Sequence, residues 1–187
     1  MLLAPEENSL KGKRDGALLA FLVGCALRRA ELVSLVVDKI QMRDGRWVIP
    51  DLVGKRKRVR TVPVPGWVKD RLDLWIKAAE IREGKIFRAV GKNDKLSGAS
   101  LSTTAVWKIV LHYAHQVGIE RLAPHDLRRN CAKLCRKSGG DLEQIQFLLG
   151  HASIQTTEKY LGGEQGIVNA VNDRIFARVK RFQSNSD

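Results

Sequence analysis

His125-Asp126-Leu127-Arg128-Arg129 opens a stretch that runs through Leu149-Gly150-His151 and closes on Glu158-Lys159-Tyr160. Two histidines, an arginine and a tyrosine stand near element boundaries in it, where side chains can converge on one anion. Leu127, Cys131, Leu134 and Cys135 share a helical face, so a helix should follow Pro124 and end at Gly139-Gly140. His125 and Arg128, three apart at its start, lie on one face near the positive end of the helix dipole. A phosphate is a natural ligand there. Asp141 with Gln144 reads as a capping box for a short helix to Leu149, and Gly150 stops it. His151 lies just beyond, and Ser153 is placed to cap a last short helix carrying Tyr160.

Working outward, Gly162-Gly163 makes a joint, and Ile167, Val168, Val171, Ile175 and Val179 give an amphipathic helix over residues 164–182. Upstream, Ser102 caps a helix with Val106, Ile109, Val110, Tyr113 and Val117 inward and Gly118 at its end. Residues 82–100 are expected to form the longest loop, and Val68, Leu72, Trp75, Ile76 and Ala79 mark a helix after Pro65-Gly66. Between Val36 and Val64 the period changes to two. Val36–Met42, Trp47–Val53 and Val59–Val64 read as three antiparallel strands, with Asp44-Gly45 as a hairpin turn. Pro50 and Pro63 should then sit at edges or strand ends. Gly54-Lys55-Arg56-Lys57-Arg58 forms a basic finger between the last two strands.

At the start, Pro5-Glu6-Glu7 suggests a short helix ended by Gly12, within an entry segment of residues 1–12. Leu18, Leu19, Leu22 and Val23 then mark a buried helix from Arg14 to about Gly24, and Ala30–Leu35 a second short one. Arg28 and Arg29 fall at the junction, well placed to reach a cleft. The fold expected is α+β and mainly helical, one domain with a small three-stranded antiparallel sheet at one edge.

The 187 residues carry 33 Lys and Arg against 20 Asp and Glu, a formal charge of +13 spread over several clusters, which favours a polyanion and first of all a nucleic acid. No apolar run approaches the ~20 residues needed to span a bilayer, and no amphipathic segment has a cleanly basic face, so a membrane is not the expected partner. The start shows no secretory pattern, and three cysteines, an odd number, suit a reducing cytosolic or nucleoid location. Cys131 and Cys135 are expected to pack as small apolar groups; no spacing supplies a metal-ligand set.

Arg128 offers a planar fork of donors for two phosphate oxygens, and a second arginine is needed to embrace a phosphate in transfer. Arg28 is the best candidate. A nucleophile and an acid for the leaving oxygen are also needed, and Tyr160 and Lys55 could fill those roles. The order of the motifs is more specific than any one of them. Leu27-Arg28-x-x-Glu31-Leu32, Gly54-Lys55 before a strand ending Val62-Pro63, His125-x-Leu127-Arg128, Leu149-Gly150-His151 and Thr157-x-x-Tyr160 together resemble the tyrosine recombinase, or phage integrase, family. The resemblance runs from about Leu3 to Phe182.

It implies that Tyr160 attacks a scissile DNA phosphate to form a 3′-phosphotyrosyl bond while Lys55 protonates the departing 5′ oxygen. Arg28 and Arg128 would hold the non-bridging oxygens. His125 would assist proton transfer at the tyrosine, His151 would hydrogen-bond the phosphate, and Glu31 would orient the site. Arg29, Arg56, Lys57, Arg58 and Arg129 are candidate DNA contacts. No cofactor, metal or ATP is implied. Double-stranded DNA is the implied partner, with self-association into a tetramer on DNA and a monomer in isolation; the C-terminal helix is a candidate for exchange between protomers.

The sequence departs from the family pattern in three places: Ala26 replaces a common glycine, Arg29 is bulkier than usual, and Arg129-Asn130 stands where histidine and a hydroxyl residue are frequent. The chain is expected to begin at the interdomain linker, with the family's N-terminal core-binding domain absent, so that DNA binding should be weak and salt-sensitive. Two other functions fit the same residues: a type IB topoisomerase-like nicking and religating enzyme, and a non-catalytic DNA-binding remnant of an integrase.

Overall fold

A computed structural model describes residues 1–54, 58–123 and 125–161, with Tyr160 described by its backbone alone. Helix α1 (Leu10–Gly24) runs through the centre. Ser9 caps it by accepting a hydrogen bond from the Gly12 amide at 3.0 Å, and the Asp94 carboxylate accepts from the Leu10 and Lys11 amides at 2.7 and 2.8 Å. Its middle, Ala17 to Leu22, is apolar all round and wholly buried. The short helix expected from Pro5 does not form, and Gly12 lies inside α1 rather than ending a helix. The Glu6 carbonyl crosses so close to Gly12 that a Cβ there would stand 1.7 Å from its oxygen. The glycine serves close backbone approach, not termination.

Arg14 and Asp15, expected near the start of an apolar helix, are both buried and paired, Nε to Oδ1 at 2.8 Å. Tyr113 reaches the same carboxylate, its hydroxyl donating to Oδ2 at 3.1 Å, so it belongs to the core as expected. Burial raises the Asp15 pKa, although Arg14 and Tyr113 oppose this.

Helix α2 (Arg29–Ser34) buries Leu32, and Leu35 follows it inward. The region after it is less regular than expected. Val37–Lys39 is a 3-10 turn, and β1 is confined to Gln41–Arg43. Strands β2 (Arg46–Val53) and β3 (Val59–Pro63) complete an antiparallel sheet in the order β1-β2-β3. Asp44 and Gly45 both have positive φ, 49° and 72°, which matches the twist of a two-residue hairpin. Pro50 lies in the central strand but beyond the last β1 pair, Gln41↔Val48, where register shifts between Ile49 and Leu52 and Asp51 has φ 50°. Its missing N–H therefore costs no pairing with β1. Pro63 ends β3, as expected.

Helix α3 (Gly66–Ala78) packs on α1 where Gly24 leaves room; a Cβ there would come within 2.6 Å of Val68. The long connection after it is pinned. Ile86 and Phe87 are buried, Trp75 Nε1 donates to the Ile86 carbonyl at 2.9 Å, and Phe87 meets Phe21 edge to face at 5.9 Å. Helix α4 (Thr103–Gln116) is capped by Ser102, whose hydroxyl accepts from the Ala105 amide at 3.0 Å. Val117 is 43% exposed rather than inward, because it is the C-cap residue and the helical period has ended.

Helices α5 (Asp126–Lys137), α6 (Leu142–Leu149) and α7 (Ile154–Leu161) follow. The buried face of α5 is Leu127, Arg128, Cys131 and Ala132; Leu134, expected inward, is 55% exposed because the covered stripe is turned towards Arg128 and Ala132. Asp141 is the N-cap of α6 but makes no side-chain cap bond, so the expected box with Gln144 is not closed. Gly150 has φ 61° and ends α6 in the left-handed region, and Ser153 caps α7 by accepting from the Thr156 amide at 3.3 Å. The expected helix over residues 164–182 and the joint at Gly162-Gly163 lie outside the described residues. No helix among the described residues is long and apolar enough to cross a membrane.

Candidate active site

Arg28 is the N-cap of α2, and Glu31 at the third helical position reaches back to it. One carboxylate oxygen accepts from the Arg28 amide at 2.8 Å and the other from its NH1 at 2.6 Å. The same two oxygens receive NH1 and NH2 of Arg60 at 3.0 and 2.9 Å. Burial alone would raise the Glu31 pKa, but hydrogen bonds from Arg60 and Arg28 and the Arg60 charge outweigh it and hold the carboxyl below its ordinary value. Glu31 thus holds both the amide and the guanidinium of Arg28.

Arg128 projects from the first turn of α5 and is buried. Its guanidinium donates to the Ala26 carbonyl at the α1–α2 junction and to the Leu149 carbonyl at the end of α6. Those two bonds fix its plane between three helices. Ala26 has φ 50°, a conformation that favours glycine, which gives a physical meaning to the sequence departure there. His125 is the N-cap of α5, and the turn before it is closed reciprocally, Ala123 N to Asp126 Oδ2 at 2.7 Å and Asp126 N to Ala123 O at 3.0 Å. Arg28, His125 and Arg128 line one cleft, with Leu22, Leu27, Leu127 and Trp107 as apolar walls.

His151 opens on a neighbouring recess beside β3, together with Arg58, Arg60 and Gly150. Its Nδ1 lies 3.1 Å from the Thr157 hydroxyl on α7. Burial, then the charges of Arg128, Arg28 and Arg60, lower its pKa from 6.5 to about 4. The ring is therefore neutral at pH 7 and able to donate one N–H to an anion while its other nitrogen faces Thr157. The Tyr160 backbone lies in α7 near the end of that helix, and its side chain is outside what is described.

Lys55, Arg56 and Lys57 are outside the described residues. The strands that flank them are joined by Gly54 N donating to Arg58 O at 2.7 Å. Arg29 stacks on Trp107, 5.5 Å from the ring centroid, and its NH1 is 3.5 Å from the Thr103 carbonyl oxygen. Arg129 is half exposed, 4.0 Å from Asp126. Cys131 is buried and Cys135 partly so, both as free thiols.

Sequence reasoning missed Arg60, which entered only through the net charge. A signal was present: strand alternation puts it on the same face as Val62, and a charged residue at an inward strand position needs a buried partner.

With this geometry in hand, comparison with known proteins defines the class. A model of the phage integrase family matches residues 1–165, and the chain belongs to that family. Tyrosine recombinase XerD of Pseudomonas putida is 32% identical over 166 residues, covering 86% of this chain and 53% of that protein. Tyrosine recombinase XerA of Thermococcus kodakarensis is 31% identical over 148 residues, covering 79% of this chain and 50% of that protein. The chain spans about half the length of these curated relatives. Among solved structures, XerH site-specific recombinase bound to difH substrate in a pre-cleavage complex superposes with TM-score 0.66 at 24% identity, over 89% of this chain and 48% of that one. The crystal structure of XerA recombinase gives TM-score 0.64 at 21% identity, over 83% and 54%. These likenesses establish the fold, mainly helical with a small antiparallel sheet.

Proposed function

We propose that residues 1–187 are the catalytic domain of a site-specific DNA recombinase that cleaves and rejoins double-stranded DNA through a 3′-phosphotyrosyl intermediate at Tyr160. The observation that carries this reading is the meeting of Arg28, His125 and Arg128 in one cleft, with neutral His151 in the adjoining recess. The Tyr160 hydroxyl attacks phosphorus, the bond to the 5′ oxygen breaks, and Lys55 gives that oxygen its proton. One phosphate ester replaces another, so no ATP is consumed. Arg28 and Arg128 neutralise the charge that develops on the non-bridging oxygens, a term that is often the largest in such catalysis. His125 takes the tyrosine proton, and His151 donates to a phosphate oxygen.

Arg29, Arg56, Lys57, Arg58 and Arg129 are assigned to the DNA backbone around the cleft. Recombination of two duplexes calls for a tetramer on DNA, with the segment 164–182 as the element exchanged between protomers and a monomer in isolation. The place of action is the cytoplasm, at the nucleoid. The relatives described above are recombinases, which does not favour the topoisomerase-like alternative.

A nicked suicide duplex carrying the cognate site tests the reading. A covalent protein–DNA adduct is expected from the wild-type chain and none from Tyr160→Phe. Binding without any adduct on that site would instead mark a DNA-binding remnant, and relaxation of a supercoiled plasmid lacking the site would mark a topoisomerase.

A further inference from the structure

Arg60 sits second in β3, buried, with all three of its nitrogens engaged. NH1 and NH2 grip both oxygens of Glu31, at 3.0 and 2.9 Å, and Nε donates to the Leu148 carbonyl at 3.0 Å. Two glycines make room for it. A Cβ at Gly54 would stand 3.1 Å from NH1 of Arg60 and 3.1 Å from NH1 of Arg28, and a Cβ at Gly150 would stand 3.0 Å from Cδ of Arg60. Gly54 immediately precedes Lys55, and Gly150 immediately precedes His151. One guanidinium therefore touches the carboxylate that orients Arg28 and the backbone on the N-terminal side of two other proposed site residues.

We propose that Arg60 is a positioning residue that sets Arg28, the Gly54 end of β2 and the His151 turn in register with one another, an inference that rests on the recombinase reading of the site. These segments lie far apart in sequence, and their mutual placement decides whether phosphate clamp and hydrogen-bond donor meet one phosphorus. The required hold is directional. A planar fork spanning a carboxylate, with a third N–H aimed at a carbonyl, supplies it; a lysine ammonium, a point charge with rotating donors, cannot span both partners. The nitrogens of Arg60 are engaged by Glu31 and the Leu148 carbonyl, so it acts through those partners. Its charge nevertheless reaches His151, as one of three guanidiniums that depress that imidazole.

The test uses the full chain with Arg60→Lys, Arg60→Met and Gly54→Ala, the last leaving every side chain of the network in place while pressing on both guanidiniums. Three quantities are read: affinity for the cognate duplex, the single-turnover rate of adduct formation on the nicked substrate, and the His151 titration followed by proton NMR of its ring. All three variants are expected to bind DNA within a few-fold of wild type and to form adduct more slowly, Arg60→Met by on the order of a hundredfold, the scale expected for misplaced reacting groups. His151 should titrate at higher pH in Arg60→Met than in wild type, and Arg60→Lys, keeping the charge, should lie nearer wild type while still being slow.

A folded Arg60→Lys or Gly54→Ala protein that forms adduct at the wild-type rate overturns the proposal. So does a rate loss that vanishes once activity is normalised to the folded fraction from thermal melts. If the wild-type chain itself forms no adduct, the recombinase reading fails separately; an unmoved His151 titration in Arg60→Met then removes the link from Arg60 to the His151 turn as well.

Discussion

Residues 10–116 bury Trp75, Phe21, Phe87, Leu18 and Leu19 in one apolar core, whereas α5–α7 close over a smaller cluster of Ala26, Cys131, Ala132, Ile145 and Leu149. The larger region carries Arg28, Glu31 and strands β2 and β3; the smaller carries His125, Arg128, His151 and Tyr160. Leu127 links them through the main core. Leu148 packs against both clusters and Ala26 enters the smaller one, and beside these apolar contacts two polar ones cross the seam: Arg128 to the Ala26 carbonyl, and Arg60 to the Leu148 carbonyl. Apolar burial is strong but non-directional, so it fixes that two bodies meet without fixing their register. Guanidinium forks fix register. The site lies on the boundary where that second kind of hold is used.

The most drastic way to break the smaller region's role is Tyr160→Phe, which should abolish the covalent adduct on a suicide substrate while leaving the melting temperature close to wild type. Breaking the seam comes next. Arg128→Met should cost about 3 kcal/mol of transition-state stabilisation, by analogy with the loss of one oxyanion donor. Because the Ala26 and Leu149 carbonyls lose their partner, about 1–3 kcal/mol of folding stability should go with it. Adduct kinetics and urea melts on the same preparation measure both.

Leu149→Ala and Leu18→Ala sharpen the contrast between the two cores. Each deletes a fully buried leucine and should cost about 2–5 kcal/mol. Hydrogen exchange is expected to distinguish them: Leu149→Ala should lower protection in α6 and α7 before α1, whereas Leu18→Ala should lower protection throughout. Equal loss everywhere in both variants would show that the regions unfold as one unit.

A weaker effect follows from His151, whose pKa falls from 6.5 to about 4 on folding. In that window the unfolded chain binds a proton that the folded chain does not, so stability should fall as pH drops from about 6.5 to about 4 and level off below. Glu31, held below its ordinary pKa, loses its contribution as pH falls further. The melting temperature of His151→Gln should therefore decline less steeply than wild type between pH 6.5 and 4. The smallest change is expected for Ala26→Gly. Relief of a left-handed alanine, roughly 1–2 kcal/mol, is partly offset by loss of one buried methyl, about 0.8 kcal/mol, for a net gain of roughly 0.2–1.2 kcal/mol in a urea melt.

Much of the architecture was legible because the decisive signals were local. The Asp44-Gly45 turn, the Ser102 and Ser153 caps and the Gly150 stop each depend on a few neighbouring residues, and each forms as read. The strand expected over Val36–Met42 shrank to three residues because the chain there follows a 3-10 turn and a bridge from Val36 to Lys85, which no local pattern announces. Arg28, His125, Arg128 and His151 were singled out as candidates from the motif order. Their placement around two adjoining hollows and the depressed His151 pKa needed the folded chain.

By itself, then, the sequence determined which residue types recur in which order, where most helices begin and end, and that the chain is a basic, mainly helical phage integrase family member. The tertiary structure decided which charges go inside. Arg14 and Arg60 entered the sequence reading only through the net charge, and Arg128 only as a phosphate ligand, yet each is buried. The reason is physical: an arginine can be buried where a carboxylate or carbonyl is fixed opposite its fork, and for Arg60 and Arg128 those partners, Glu31 and the carbonyls of residues 148, 26 and 149, come from segments that only folding brings together.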